Sequence, residues 1–165
     1  MPAHPSDHPL DVRPSVAADL PAILALVIEA FAALASLTPP SGAAGETVEN
    51  LGRIQAQGAI LVAESVGRLV GCVALEPKMG GFYLGRLAVH PDWRRQGIAQ
   101  LLLAAAESYA RARQASALTL NVRLVLAGNI RLFEGAGYRI VGQGSHSGFS
   151  VPTYHIMRKD LGFPG

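Results

Sequence analysis

Arg94-Arg95-Gln96-Gly97-Ile98-Ala99 brings two guanidinium groups, a glycine and a small residue to the start of a run with helical spacing. That combination could hold phosphate. The first backbone N–H groups of a helix have no intrahelical acceptor, and the helix dipole adds partial positive charge at the same end. Gly97 would let an anion approach the backbone, Ala99 keeps the next turn clear, and Arg94 and Arg95 can fork onto phosphate oxygens. The same residues could equally be a solvated basic helix start with a glycine for close packing, so the segment alone leaves both readings open. It is not a Walker loop, because no G-x-x-x-x-G-K-[ST] occurs, nor does a G-x-G-x-x-G stand in a βαβ setting.

Positioning such a site takes a strand before it and a long helix after it, and the patterning supplies both. Residues 82–89 read as a strand, and the helix after Gly97 carries Ile98, Leu101, Leu102, Ala105 and Tyr109 as its apolar stripe. Upstream, residues 10–13 form a short strand. Asp19 is an expected N-cap, with Leu20, Ile23, Leu24, Val27, Phe31 and Leu34 following at spacings of three and four. A loop over 38–45 and a helix over 46–57 precede a continuous apolar run at 59–63, the mark of a strand covered on both faces. A strand over 69–75 completes a hairpin. Downstream come a strand at 118–122, a short helix at 127–134, and strands at 138–141 and 153–158. The order β-α-α-β-β-β-α-β-α-β-β predicts an α/β (α+β) fold: a mixed, mostly antiparallel sheet of six to seven strands flanked by about four helices. Residues 1–9 read as a tail and 10–165 as one domain.

Composition narrows the partners. Half of the 165 residues are hydrophobic and 16% are charged, which suits a single packed core. The net charge of +2 is spread along the chain without a basic stripe, which argues against nucleic acid. No apolar run reaches membrane-span length, so no membrane is expected. Cys72 is the one cysteine and reads as a small core residue. With no internal disulfide to form and no secretory leader at the start, the expectation is a cytoplasmic protein. His90, His146 and His155 show no metal-ligand spacing, so no metal is expected.

The stretch Leu87-Ala88-Val89-His90-Pro91-Asp92-Trp93-Arg94-Arg95-Gln96-Gly97-Ile98-Ala99 closely resembles the signature of GNAT acetyltransferases. Asn129-Ile130-Arg131-Leu132-Phe133-Glu134-Gly135-Ala136-Gly137-Tyr138 resembles that family's second signature, and the element order matches over roughly 10–160. The resemblance implies an N-acetyltransferase using acetyl-CoA as co-substrate. Its pyrophosphate would lie on the backbone of Arg95, Gln96, Gly97, Ile98 and Ala99, and its pantetheine arm beside Leu87, Ala88 and Val89. It also implies that the strands at 82–89 and 118–122 splay apart, and that a neutral amine of a small molecule or peptide attacks the thioester directly. The rival reading is a module with the same fold that holds an acyl-CoA as a sensor; an exposed strand edge also suggests a homodimer.

This chain departs from the family pattern at Phe133, where many members place a tyrosine that protonates the departing thiolate. Tyr83, His146 and Tyr154 are substitutes. Leu126 stands where many members have an asparagine that bonds the cofactor, and Asn129 is the replacement. An ammonium must lose a proton before it can attack, and Glu76 is the first candidate base, with His146 second. Trp93 is expected beside the phosphate loop as a packing or adenine-side aromatic.

Overall fold

The computed structural model describes residues 9–34, 37, 39 and 42–163; residues 1–8 of the expected tail and part of the loop over 38–45 lie outside the described residues. The elements are β1 (Asp11–Pro14), α1 (Leu20–Phe31), α2 (Val48–Gln57), β2 (Ala59–Ser65), β3 (Arg68–Lys78), β4 (Gly81–Val89), α3 (Ile98–Ala112), β5 (Ala117–Arg123), α4 (Ala127–Gly135), β6 (Arg139–Gly144) and β7 (Tyr154–Asp160). The strands form one seven-stranded sheet in the order β1-β2-β3-β4-β5-β7-β6. Every neighbouring pair is antiparallel except β4 and β5.

The unbroken apolar run of β2 has the reason anticipated for it. Ala59, Leu61 and Ala63 join a core under α3, while Ile60 and Val62 join a second core under α1 and α2. A strand covered on both faces needs apolar residues at both parities. Leu20, Ile23, Leu26 and Val27 form the buried face of α1. Against the expectation that no apolar run is long enough, the stretch Ala17–Leu34 reaches the length and mean hydropathy (2.0) of a membrane span. In the fold that stretch is α1 with the short turns at its ends.

Two local expectations are corrected. Asp19 makes no N-cap bond to α1; its carboxylate accepts the Val16 N–H at 2.8 Å and pairs with Arg13 at 2.8 Å. A charged partner on β1 outcompetes the helix amides. In α3 the buried stripe is Ile98, Leu102, Leu103, Ala106 and Ala110, and Leu101, expected inside, is 40% exposed. Ile98 and Leu102 pack into the space that Gly71 on β3 leaves: a β-carbon there would lie 2.9 Å from Ile98 Cγ2.

Candidate functional site

The parallel neighbours β4 and β5 pair only at Phe82↔Leu118 and Tyr83↔Thr119. The join depends on Gly81, which lies so close to the Ala117 backbone that any β-carbon would overlap its carbonyl. Ser116 N–H also donates to Gly80 O at 3.0 Å, tying the strand starts together. Past Tyr83 the two strands share no further rung. On its other side β4 pairs Ala74↔Gly85 and Cys72↔Ala88, so Arg86 and Leu87 together oppose Val73. This is a β-bulge, which bends its strand and increases the local twist. Arg86 carries the cost, with φ of +51° in a region an arginine seldom occupies. The splay opens into a cleft of about 960 Å³ bounded by α1, α2, β3, β4, α3, β5, α4 and the β6–β7 hairpin.

One wall meets the start of α3. Leu87, Ala88, Val89, Arg94, Ala99, Asn129 and Phe133 line it. The loop leading there is anchored by Trp93, 8% exposed, and by His90, whose Nδ1 accepts the Asp92 N–H at 3.1 Å. Trp93 is therefore a packing residue. Arg95 (φ +62°) and Gly97 (φ +78°) both take the left-handed conformation, separated by Gln96. Left-handed residues in a turn of this kind aim successive N–H groups into a concavity that suits an anion, and the 15-residue α3 adds its dipole. Arg95 and Gly97 are exposed and, with Gln96, lie outside the cleft wall, at its rim. Ile98 is 1% exposed with its side chain in the core, so it can offer a ligand only backbone. Arg94 donates from Nη2 to Ala30 O at 3.0 Å, clipping the loop to the end of α1.

The opposite wall gathers the candidate acid–base groups. Glu76, Tyr83, His146 and Tyr154 all line the cleft. Glu76 and Tyr83 are cross-strand partners on β3 and β4, which puts their side chains on one sheet face. Glu76 pairs with Arg53 of α2 at 3.2 Å. Burial pushes the Tyr83 phenol up, against the opposing pull of Arg86 and of the Asn121 N–H, so it stays protonated. His146 and Tyr154 stack edge-on with ring centroids 5.2 Å apart. The Tyr154 ring can lie there because its partner across the hairpin, Gly144, has no side chain to meet it. His146 Nδ1 bonds Thr153 Oγ1, and burial together with the charge of Arg123 holds the imidazole below its ordinary value, hence neutral at pH 7.

Phe133 and Asn129 both line the cleft. Phe133 is 8% exposed and packs edge-on against Tyr138, centroids 6.0 Å apart. Three arginines of the site were not singled out from sequence: Arg53, Arg86 and Arg123. Neither was Glu46, whose side chain is fully buried and bonds Arg86 Nε at 2.7 Å, Asn50 Nδ2 at 2.7 Å and the Thr47 N–H at 2.9 Å. Glu46 was expected to open α2, but Thr47 caps that helix, its hydroxyl accepting Asn50 N–H at 3.1 Å. Nothing in the sequence marks a carboxylate whose partner lies 40 residues away. Among the described residues no group of three or more His, Cys, Asp or Glu is placed to hold a metal.

A family model described as "Acetyltransferase (GNAT) family" matches residues 28–138. No curated protein sequence matches the chain. Among solved structures, a ribosomal-protein-alanine N-acetyltransferase from Brucella melitensis is 25% identical with a TM-score of 0.74, covering 92% of this chain and 99% of its own. The ribosomal-protein-S18-alanine N-acetyltransferase of Escherichia coli is 19% identical with a TM-score of 0.76, over 95% of this chain and 97% of its own. The PaiA N-acetyltransferase of Thermoplasma acidophilum, in complex with coenzyme A, is 18% identical with a TM-score of 0.78, over 93% and 99%.

Proposed function

The chain belongs to the GNAT acetyltransferase family, and from that premise we propose that it transfers an acetyl group from acetyl-CoA to a primary amine of a small molecule or peptide. The observation that carries this reading is the wedge between β4 and β5, which opens onto the amide-lined start of α3. The residues fit the co-substrate. Backbone N–H groups from Arg95 to Ala99 would take its diphosphate, and the β4 segment Leu87, Ala88 and Val89 would flank its arm, with Asn129 and Phe133 across the cleft. When bound, acetyl-CoA supplies an acyl thioester as the electrophile.

The chain's own groups handle protons and position. The acceptor enters as an ammonium and must lose one proton before its nitrogen can attack. Glu76 and the neutral His146 stand on the acceptor side of the cleft for that task. For His146 to serve, its ring proton sits on Nδ1, donated to Thr153 Oγ1, leaving the Nε2 lone pair for the amine. A nitrogen–carbon bond then forms, the carbon–sulfur bond breaks, and Tyr154 gives its phenolic proton to the leaving sulfur, the role that Phe133 cannot fill. Relatives of the same fold that are named as alanine N-acetyltransferases support an amine acceptor. Calorimetric titration with acetyl-CoA, followed by free-thiol release across an amine panel, tests the proposal. Saturable one-to-one binding and amine-dependent thiol are expected; binding without thiol from any amine would leave the sensor reading.

A further inference from the structure

The acceptor half of the cleft carries an apolar ridge that the cores leave over. α1 buries Leu20, Ile23, Leu26 and Val27, and the apolar run continues past its end. There the chain tightens into a 3₁₀ turn over Ala32–Leu34, and the Leu37 N–H donates to Leu34 O at 3.1 Å. In such turns residues three apart stand in line. Phe31, Leu34 and Leu37 follow that spacing, and all three line the cleft with Ala30 and Ala33 beside them. Phe31 leans on the core under α1 and α2. Among the described residues, Leu34 and Leu37 join neither core, although both are partly buried.

The ridge is held at both ends through its backbone. Arg94 donates from Nη2 to Ala30 O at 3.0 Å, and Arg123 from Nη1 to Pro39 O at 2.6 Å. Among the described residues of this half, the remaining charges are matched: Arg53 with Glu76 at 3.2 Å, and Arg86 with the buried Glu46 at 2.7 Å. An acceptor tail of either sign would have to displace a bond already made, whereas an apolar tail meets a surface already formed.

We propose that the acceptor is a primary amine with an uncharged apolar body, which lies along Phe31, Leu34 and Leu37 and turns its nitrogen toward Glu76 and His146. This deepens the transferase reading and rests on it. Each methylene removed from water against the ridge should raise affinity about fourfold. The same surface excludes water from around the ammonium, disfavours its charged form and lowers its pKa, so a weak base suffices. A second charge on the tail reverses the first gain, because it would lose its hydration without a partner of its own.

Primary amines matched in size and differing only in the tail test this: hexylamine is apolar, diglycolamine polar, cadaverine cationic and γ-aminobutyrate anionic. The peptide amides Leu-Ala-Ala-NH2 and Asn-Ala-Ala-NH2 ask whether the apolar body belongs to a small molecule or to the first side chain of a peptide. Each probe is titrated into the coenzyme A complex, and kcat/KM is measured with acetyl-CoA. Hexylamine or the leucine peptide should bind and react about tenfold or more better than its polar twin, and better than both charged amines. The paired variant Leu34→Asn/Leu37→Asn should reduce that preference about tenfold with acetyl-CoA affinity unchanged, and Leu34→Met/Leu37→Met should keep it. Both variants should fold, because neither leucine joins a core. Equal binding by all the probes, binding by none, or a preference that survives Leu34→Asn/Leu37→Asn would overturn the inference; thiol release from the polar or charged amines would then leave the transferase standing. Apolar probes bound preferentially to the coenzyme A complex without any thiol release would sustain the subsite and remove the transferase.

Discussion

At the residue scale the site turns on groups whose environment decides their charge. Glu46 is fully buried, and burial alone would raise its carboxyl. The bonds from Arg86, Asn50 and the Thr47 N–H outweigh that and hold it below the usual carboxylate range. A carboxyl depressed in the folded state adds stability above its unfolded pKa, about 4.3, and loses it as the pH falls through the lower folded value. Glu46→Gln should therefore cost about 3 kcal/mol at pH 7. The gap between the two proteins should narrow below about pH 4 in urea unfolding followed across pH. A gap that stays constant with pH would mean that the pair acts by packing alone. Phe133 and Tyr154 set a second test. A thiol of pKa near 8.5 gains about 2 kcal/mol from protonation at pH 7, which bounds what an acid can supply. Tyr154→Phe should lower kcat about tenfold or more, and adding Phe133→Tyr should restore most of the loss. Equal rates for all three proteins would leave solvent as the proton source.

At the scale of elements the start of α3 is the strictest position. Gly97 has φ of +78°, and a β-carbon there would meet no heavy atom within 4 Å. The demand is conformational and not steric. Gly97→Ala should cost about 1–2 kcal/mol of stability, and Gly97→Asn less, because asparagine tolerates the left-handed region. Gly97→Glu should remain folded and lose acetyl-CoA binding in calorimetry, since its carboxylate would face amides meant for an anion; unchanged affinity would remove the cofactor assignment. The elements were legible from the sequence because each has a local cause: both parities apolar in β2, spacings of three and four in α1, glycine and proline between. The Arg94–Ala99 segment was legible for the same reason. The bulge at Arg86, the contact of Gly81 with Ala117 and the Glu46–Arg86 pair were not, because each depends on partners far along the chain. Asp19 differs: it stands at the N-cap position, but its carboxylate is taken by Arg13, only six residues back, and not by the helix amides.

At the scale of the whole molecule, β1–β4 and β5–β7 are two parts of a sheet joined through two residue pairs, with α3 packed under both. A ligand seated in the splay touches both parts, and anything that binds only the folded state stabilises it by mass action. Acetyl-CoA at a hundredfold excess over Kd should add about 2.7 kcal/mol, read as a rise in Tm that Gly97→Glu abolishes. The sparse seam has a consequence in time as well as in energy. Where β4 and β5 part company, the facing edges of Leu87, Ala88 and Val89 on one side and of Asn121, Val122 and Arg123 on the other have no strand between them. Their amides on those edges should exchange with deuterium through small local openings, long before the shared β2–β3 ladder does. The free protein would then breathe along this line, and the arriving thioester would find a sheet already parted where it must lie.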